Sequence, residues 1–131
     1  MGSSFIEYRG YGFWSHDPFI ERFAAETAGV IESQVEKQEW EIDLSAHWIL
    51  QASGVFGGCI HLKLDDFLVS EERRRKLRQI AQSVTEQHAP DDPIHQTGIL
   101  LLRLLDGQLK TDSSSPLGYM VGRNKPGETK V

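Results

Sequence analysis

The chain has 131 residues, 39% hydrophobic and 25% charged, which is the size and balance of one folded domain rather than of a disordered chain or two independent units. Nineteen acidic against fourteen basic residues leave a formal net charge of -5, which opposes non-specific attraction to phosphate backbones and anionic membranes and favours a basic partner. A single cysteine, Cys59, excludes an intramolecular disulfide and the small secreted scaffolds, so a reducing, cytoplasmic setting is expected.

Met1 to Glu7 lacks the basic region and apolar stretch of a leader peptide. The stretch from Phe5 to Trp14, FIEYRGYGFW, places its aromatic rings around Gly10 and Gly12. The two glycines weaken a strand, and the reading is an irregular aromatic arm docked on the body. Asp17 and Pro18 then supply an N-cap and a first helical position, and Ile20, Phe23, Ala24, Thr27, Val30, Ile31 and Val35 keep helical spacing to about Lys37.

A second helix is expected from Asp43, with Leu44, Trp48, Ile49 and Ala52 on one side and Gly54 as its stop. Between Val55 and Leu64 the residues alternate, Cys59, His61 and Lys63 against Ile60, Leu62 and Leu64. That suits a short extended strand, while Gly57-Gly58 suits an ordered loop equally well. Ser70 followed by Glu71 and Glu72 signs the third helix, whose buried stripe is Leu77, Ile80, Ala81 and Val84.

Pro90 and Pro93 break the chain before a very apolar fourth helix from Ile94 to Asp106, stopped by Gly107. Its run from Ile99 to Leu105 is interrupted by Arg103 and too short to span a bilayer. The expected fold is mainly α: a compact bundle of about four helices with an aromatic N-terminal arm and, in the strand reading of 55–64, one short extended segment. Residues 1–122 form a single globular helical domain and 123–131 a flexible C-terminal tail.

Catalytic chemistry needs an activated nucleophile or an acid and base pair, and the chain offers two candidates. Ser15-His16-Asp17 holds triad residue types, but neighbours in sequence cannot form the required relay, and capping accounts for Ser15 and Asp17. Cys59 and His61 share one side of an extended segment near Asp65, short of the three or four ligands of a metal site. Gly10-Tyr11-Gly12 and Gly57-Gly58 lack the remainder of a phosphate loop. The run Arg73-Arg74-Arg75-Lys76-Leu77-Arg78 fans around a helix beside Glu71, Glu72, Asp65 and Asp66, which reads as a solvated face. No catalytic residue, cofactor, metal, nucleic acid or membrane is therefore expected.

The pattern Tyr8-Arg9-Gly10-x-Gly12-Phe13-Trp14-Ser15-x-Asp17, with Trp48, Gly57 to Ile60, Leu64-Asp65-x-Phe67-Leu68 and Asp112-x-Ser114-x-Pro116, resembles small immunity proteins of bacterial polymorphic toxin systems over most of the chain. The resemblance implies an intracellular, non-enzymatic protein that binds one cognate toxin domain and occludes its active site. An acidic helical body meeting a basic toxin surface gives Trp14, Glu21, Glu32, Glu36, Glu39, Glu41, Asp65 and Asp66 as candidate partner-binding residues. Two alternatives stand beside it: a small adaptor or homodimer joined through the apolar helix or the aromatic arm, and an enzyme dependent on Cys59 and His61.

Overall fold

The computed structural model describes residues 2–109 and the backbone of 121–123. Its first element corrects the expected arm. Ser3–Tyr8 (β1) and Tyr11–His16 (β2) form an antiparallel hairpin closed by the pair Tyr8 and Tyr11. Arg9 and Gly10 make the two-residue turn, both at positive φ, 53° and 87°. Such a turn twists with its strands, and Gly10 takes its share without strain. The Asp65 carboxylate accepts the Arg9 backbone N–H at 3.0 Å and so supports the strained half of the turn.

Alternation along the hairpin buries Ser4, Ile6, Tyr8, Phe13 and Ser15 and sets the rings of Phe5 and Trp14 against each other on the other face, centroids 5.3 Å apart. Gly12 is required there. A Cβ would meet the Ile6 carbonyl oxygen and lie 2.7 Å from the Phe5 ring. Val121–Arg123 (β3) adds antiparallel to β2, giving the sheet order β1-β2-β3.

Among the described residues five helices follow the hairpin: Asp17–Glu32 (α1), Glu39–Gln51 (α2), Leu64–Phe67 (α3), Glu71–Glu86 (α4) and Pro93–Leu105 (α5). The fold is α+β, not the mainly α bundle of about four helices that hydrophobic spacing suggests. One core joins the layers. Ile6, Tyr8 and Phe13 from the sheet, Ile20, Phe23 and Ile31 from α1, Leu44 and Trp48 from α2, Leu77 and Val84 from α4 and Leu101 and Leu104 from α5 are all buried in it. The apolar α5 packs against α4, α1 and the hairpin.

Helix boundaries differ from the sequence reading where side chains find other partners. Asp17 is the first helical residue, His16 holds the N-cap position, and no side chain caps α1 there. The helix stops at Glu32 rather than near Lys37. Gln34 Nε2 donates to the Ile31 carbonyl and Lys37 Nζ to those of Glu32 and Gln34, satisfying acceptors that a longer helix would have used. Val35 consequently lies wholly exposed. α2 begins four residues before Asp43, through a capping box between Gln38 and Glu41.

Residues 55–64 form no strand, yet Ile60, Leu62 and Leu64 are buried and Cys59, His61 and Lys63 exposed, as the alternation requires. Helix side chains replace a partner strand. Gln51 accepts the His61 N–H, Trp48 Nε1 donates to the Leu62 carbonyl and His47 Nε2 to that of His61, while the Ser4 hydroxyl accepts the Ile60 N–H. α4 and α5 match their signs: the Ser70 hydroxyl accepts the Arg73 N–H, the Asp92 carboxylate accepts the Ile94 N–H, and Gly107 turns at φ 70° beyond α5. The expected tail lies, past Arg123, outside the described residues.

Candidate functional site

The residues expected to bind a partner do not form one surface. Glu32, Glu36 and Glu39 are exposed around the α1–α2 turn, and Asp43 joins them one turn into α2. Glu41 is buried, held by the Gln38 N–H and the Gln34 amide. Glu21 is partly buried on α1. Trp14 is partly buried against Phe5 on the hairpin, and Asp65 and Asp66 are exposed on α3, Asp65 engaged by the hairpin turn.

The acids at the α1–α2 turn border an apolar face. α2 buries Trp40, Leu44 and Trp48 inward, but Ile42, Ala46, Ile49 and Leu50 recur at helical spacing on its outer side. Ile42, Ile49 and Leu50 are 50, 42 and 54% exposed, and Val55 in the following loop is 79% exposed. Glu32, Glu36, Glu39 and Asp43 make no ion pair among the described residues, and Lys37, on the same turn, donates to backbone carbonyls. The result is an uncovered apolar stripe flanked by unpaired carboxylates. The sequence contains this second stripe at i, i+4, i+7 and i+8. Assigning Ile49 to the same side as Leu44 and Trp48 hides it.

The catalytic candidates are engaged elsewhere. Ser15 Oγ lies 3.4 Å from Thr97 Oγ1, His16 Nδ1 lies 3.2 Å from the Ser3 hydroxyl, and Asp17 binds Ser4 and the Gly58 N–H, so the three side chains diverge. His61 Nδ1 accepts the Lys63 N–H at 2.9 Å, and the exposed Cys59 thiol makes no hydrogen bond among the described residues. No group of three or more potential metal ligands occurs among the described residues. Among them, too, no helix is long and apolar enough to cross a membrane.

The chain matches no family model, no curated protein and no solved structure.

Most of the basic run on α4 is tied down. Arg73 donates to the Phe67 carbonyl and sits over the Trp40 ring, 5.5 Å from its centroid. Arg74 grips Glu71 and the Leu105 carbonyl. Arg78 holds both Asp106 oxygens, at 2.7 and 2.9 Å. The hydrogen bond from Arg74 holds the Glu71 carboxyl below its ordinary range, and those of Glu71 and Asp106 raise Arg74 and Arg78 respectively. This network fastens the start of α4 to the end of α5. It engages Arg73, Arg74 and Arg78, whereas Arg75 and Lys76 of the same run line a pocket with Gln38, Trp40 and Glu41 at the start of α2.

Proposed function

We propose that the chain is a binding protein that docks the outer face of α2 on a basic surface of one partner protein. The partner we assign is a bacterial toxin domain whose active site the complex occludes, with the chain acting in the cytoplasm of the toxin's producer. The observation that carries the binding reading is the exposed stripe Ile42, Ile49 and Leu50 with the acids Glu36, Glu39 and Asp43 beside it, which make no ion pair among the described residues. Exposed apolar area of this kind supplies affinity, and a one-signed rim supplies rate and selectivity. Self-association through the same face would set like charges together, which favours a foreign, cationic partner. The toxin assignment rests on the resemblance of the aromatic, glycine and Asp17 pattern to immunity proteins.

Copurification of the full chain with the toxin domain encoded directly upstream tests the proposal. A stoichiometric complex is expected, weakened about thirtyfold by Ile49→Asp with Leu50→Asp, the loss of a central apolar anchor. Glu39→Lys with Asp43→Lys should slow association and blunt its salt dependence. Absence of a complex with that neighbour sinks the toxin assignment. A complex indifferent to the α2 variants, each shown to melt like the parent, removes the face from the interface. Concentration-dependent sedimentation of the chain alone, abolished by the same variants, would replace the foreign partner with a second copy.

A further inference from the structure

A cavity of about 400 Å³ lies between the hairpin turn and the α4–α5 network, away from α2; Tyr8, Arg9, Glu71, Arg74, Asp106 and Leu109 line it, with Leu104 and Leu105. That volume lies within the range of small-molecule sites. Its hydrogen-bonding inventory is lopsided. Both Glu71 oxygens are taken by Arg74 and both Asp106 oxygens by Arg78, and the remaining Arg74 nitrogen reaches the Leu105 carbonyl. Two groups on this wall keep hydrogens to donate, one of them without any partner among the described residues.

The first is the Tyr8 hydroxyl, buried and without a hydrogen-bond partner among the described residues, on a residue only 2% exposed. Buried hydroxyls are normally bonded, so an orphan on a cavity wall points to a missing acceptor. The second is the Arg9 guanidinium, which stacks over the Tyr8 ring at 4.9 Å and meets Glu71 only at 3.5 Å, beyond good hydrogen-bond length. Burial pushes the phenol pKa up, more than the neighbouring guanidiniums lower it, so the group keeps its proton to donate.

We infer that this cavity binds a small carboxylate, its oxygens accepting from Tyr8 Oη and Arg9 and its apolar body lying against Leu104, Leu105 and Leu109. A phosphate dianion suits the site less, because Glu71 and Asp106 stand in the same wall. A monoanion with an aliphatic tail uses both the spare donors and the leucine wall. The site is independent of the α2 face, since no α2 residue lines it.

Isothermal titration of the full chain with hexanoate, hexanamide and inorganic phosphate tests this. Hexanoate should bind saturably, with hexanamide at least about tenfold weaker for want of a charge-assisted bond. Tyr8→Phe, which leaves ring and cavity in place, should weaken hexanoate about tenfold, and Arg9→Lys should weaken it less. No saturable hexanoate binding, equal binding of amide and acid, or an unchanged affinity in Tyr8→Phe each overturns the inference. Phosphate binding tighter than hexanoate overturns the carboxylate class. If Tyr8→Phe fails to fold, the guanidinium Nε resonance of Arg9, which must move on adding hexanoate and not on adding hexanamide, decides in the unaltered chain.

Discussion

The Asp17 carboxylate accepts the Ser4 hydroxyl at 2.6 Å in a buried contact between the first strand and the first helix. Its other oxygen takes the Gly58 N–H at 2.6 Å, and Ser4 in turn accepts the Ile60 N–H. One side chain thus joins strand, helix and the glycine loop 41 residues away.

Asp17→Ala strands those donors and should lower the unfolding free energy by about 3 kcal/mol, whereas Asp17→Asn, which keeps one acceptor, should cost about 1 kcal/mol. Urea denaturation measures the order, and hydrogen exchange at Gly58 and Ile60 should quicken first. Equal stability of the Asp17→Ala variant and its parent would remove the staple from the account.

Gly98 sits where α5 crosses α4 and α1. A Cβ would collide with the Thr85 hydroxyl and lie 2.8 Å from the Phe23 ring. Gly98→Ala should therefore destabilise by about 1–2 kcal/mol, despite the gain of about 1 kcal/mol that alanine brings to an open helix. Thr85 is the nearer obstacle. Combining the change with Thr85→Ala should recover part of the loss, and strict additivity in that double-mutant cycle would contradict the crossing as described.

Acid should loosen the junction of α1 with the end of α4. Burial alone would raise the Glu26 carboxyl, but hydrogen bonds from His88, at 2.7 Å, and Arg22, at 2.6 Å, outweigh it and hold the pKa below the ordinary value of 4.5. Asp92 is lowered chiefly by the Ile94 N–H and also faces His88, at 3.4 Å. A depressed acid stabilises the fold above its unfolded pKa and loses that contribution as pH falls through the folded value. Stability should accordingly decline below about pH 4.5, and Glu26→Gln should flatten the slope there while lowering the plateau at neutral pH. Denaturation midpoints measured across that range provide the check; an unchanged slope in Glu26→Gln would count against it.

Where local chemistry decides the structure, the sequence is a good guide. Ser70 with Glu71 and Glu72 marks α4, and Gly107 marks the end of α5, because caps act within one turn. The hairpin is hidden because Arg9-Gly10 is not the usual asparagine or aspartate turn, and its Arg9 conformation is upheld by Asp65, distant in sequence. Asp17 carries the composition of a cap, but tertiary donors claim it. Within the candidate face the acids at 32, 36 and 39 are visible in the sequence; the burial of Glu41 follows from Gln34 and Gln38 folding over it. Ile49 has apolar neighbours on either side of α2, so periodicity alone does not say which stripe is covered.

The pairing of Tyr11 with Arg123 sets an order on assembly. The hairpin leaves the ribosome well before β3, and β2 keeps an open hydrogen-bonding edge until residues 121–123 have been synthesised. Throughout the translation of the helices between them that edge lacks its β3 neighbour, and the contact that closes it joins segments far apart in sequence, a pairing with a large loop-closure cost. A binding partner or chaperone engaging the nascent protein would meet an incomplete sheet.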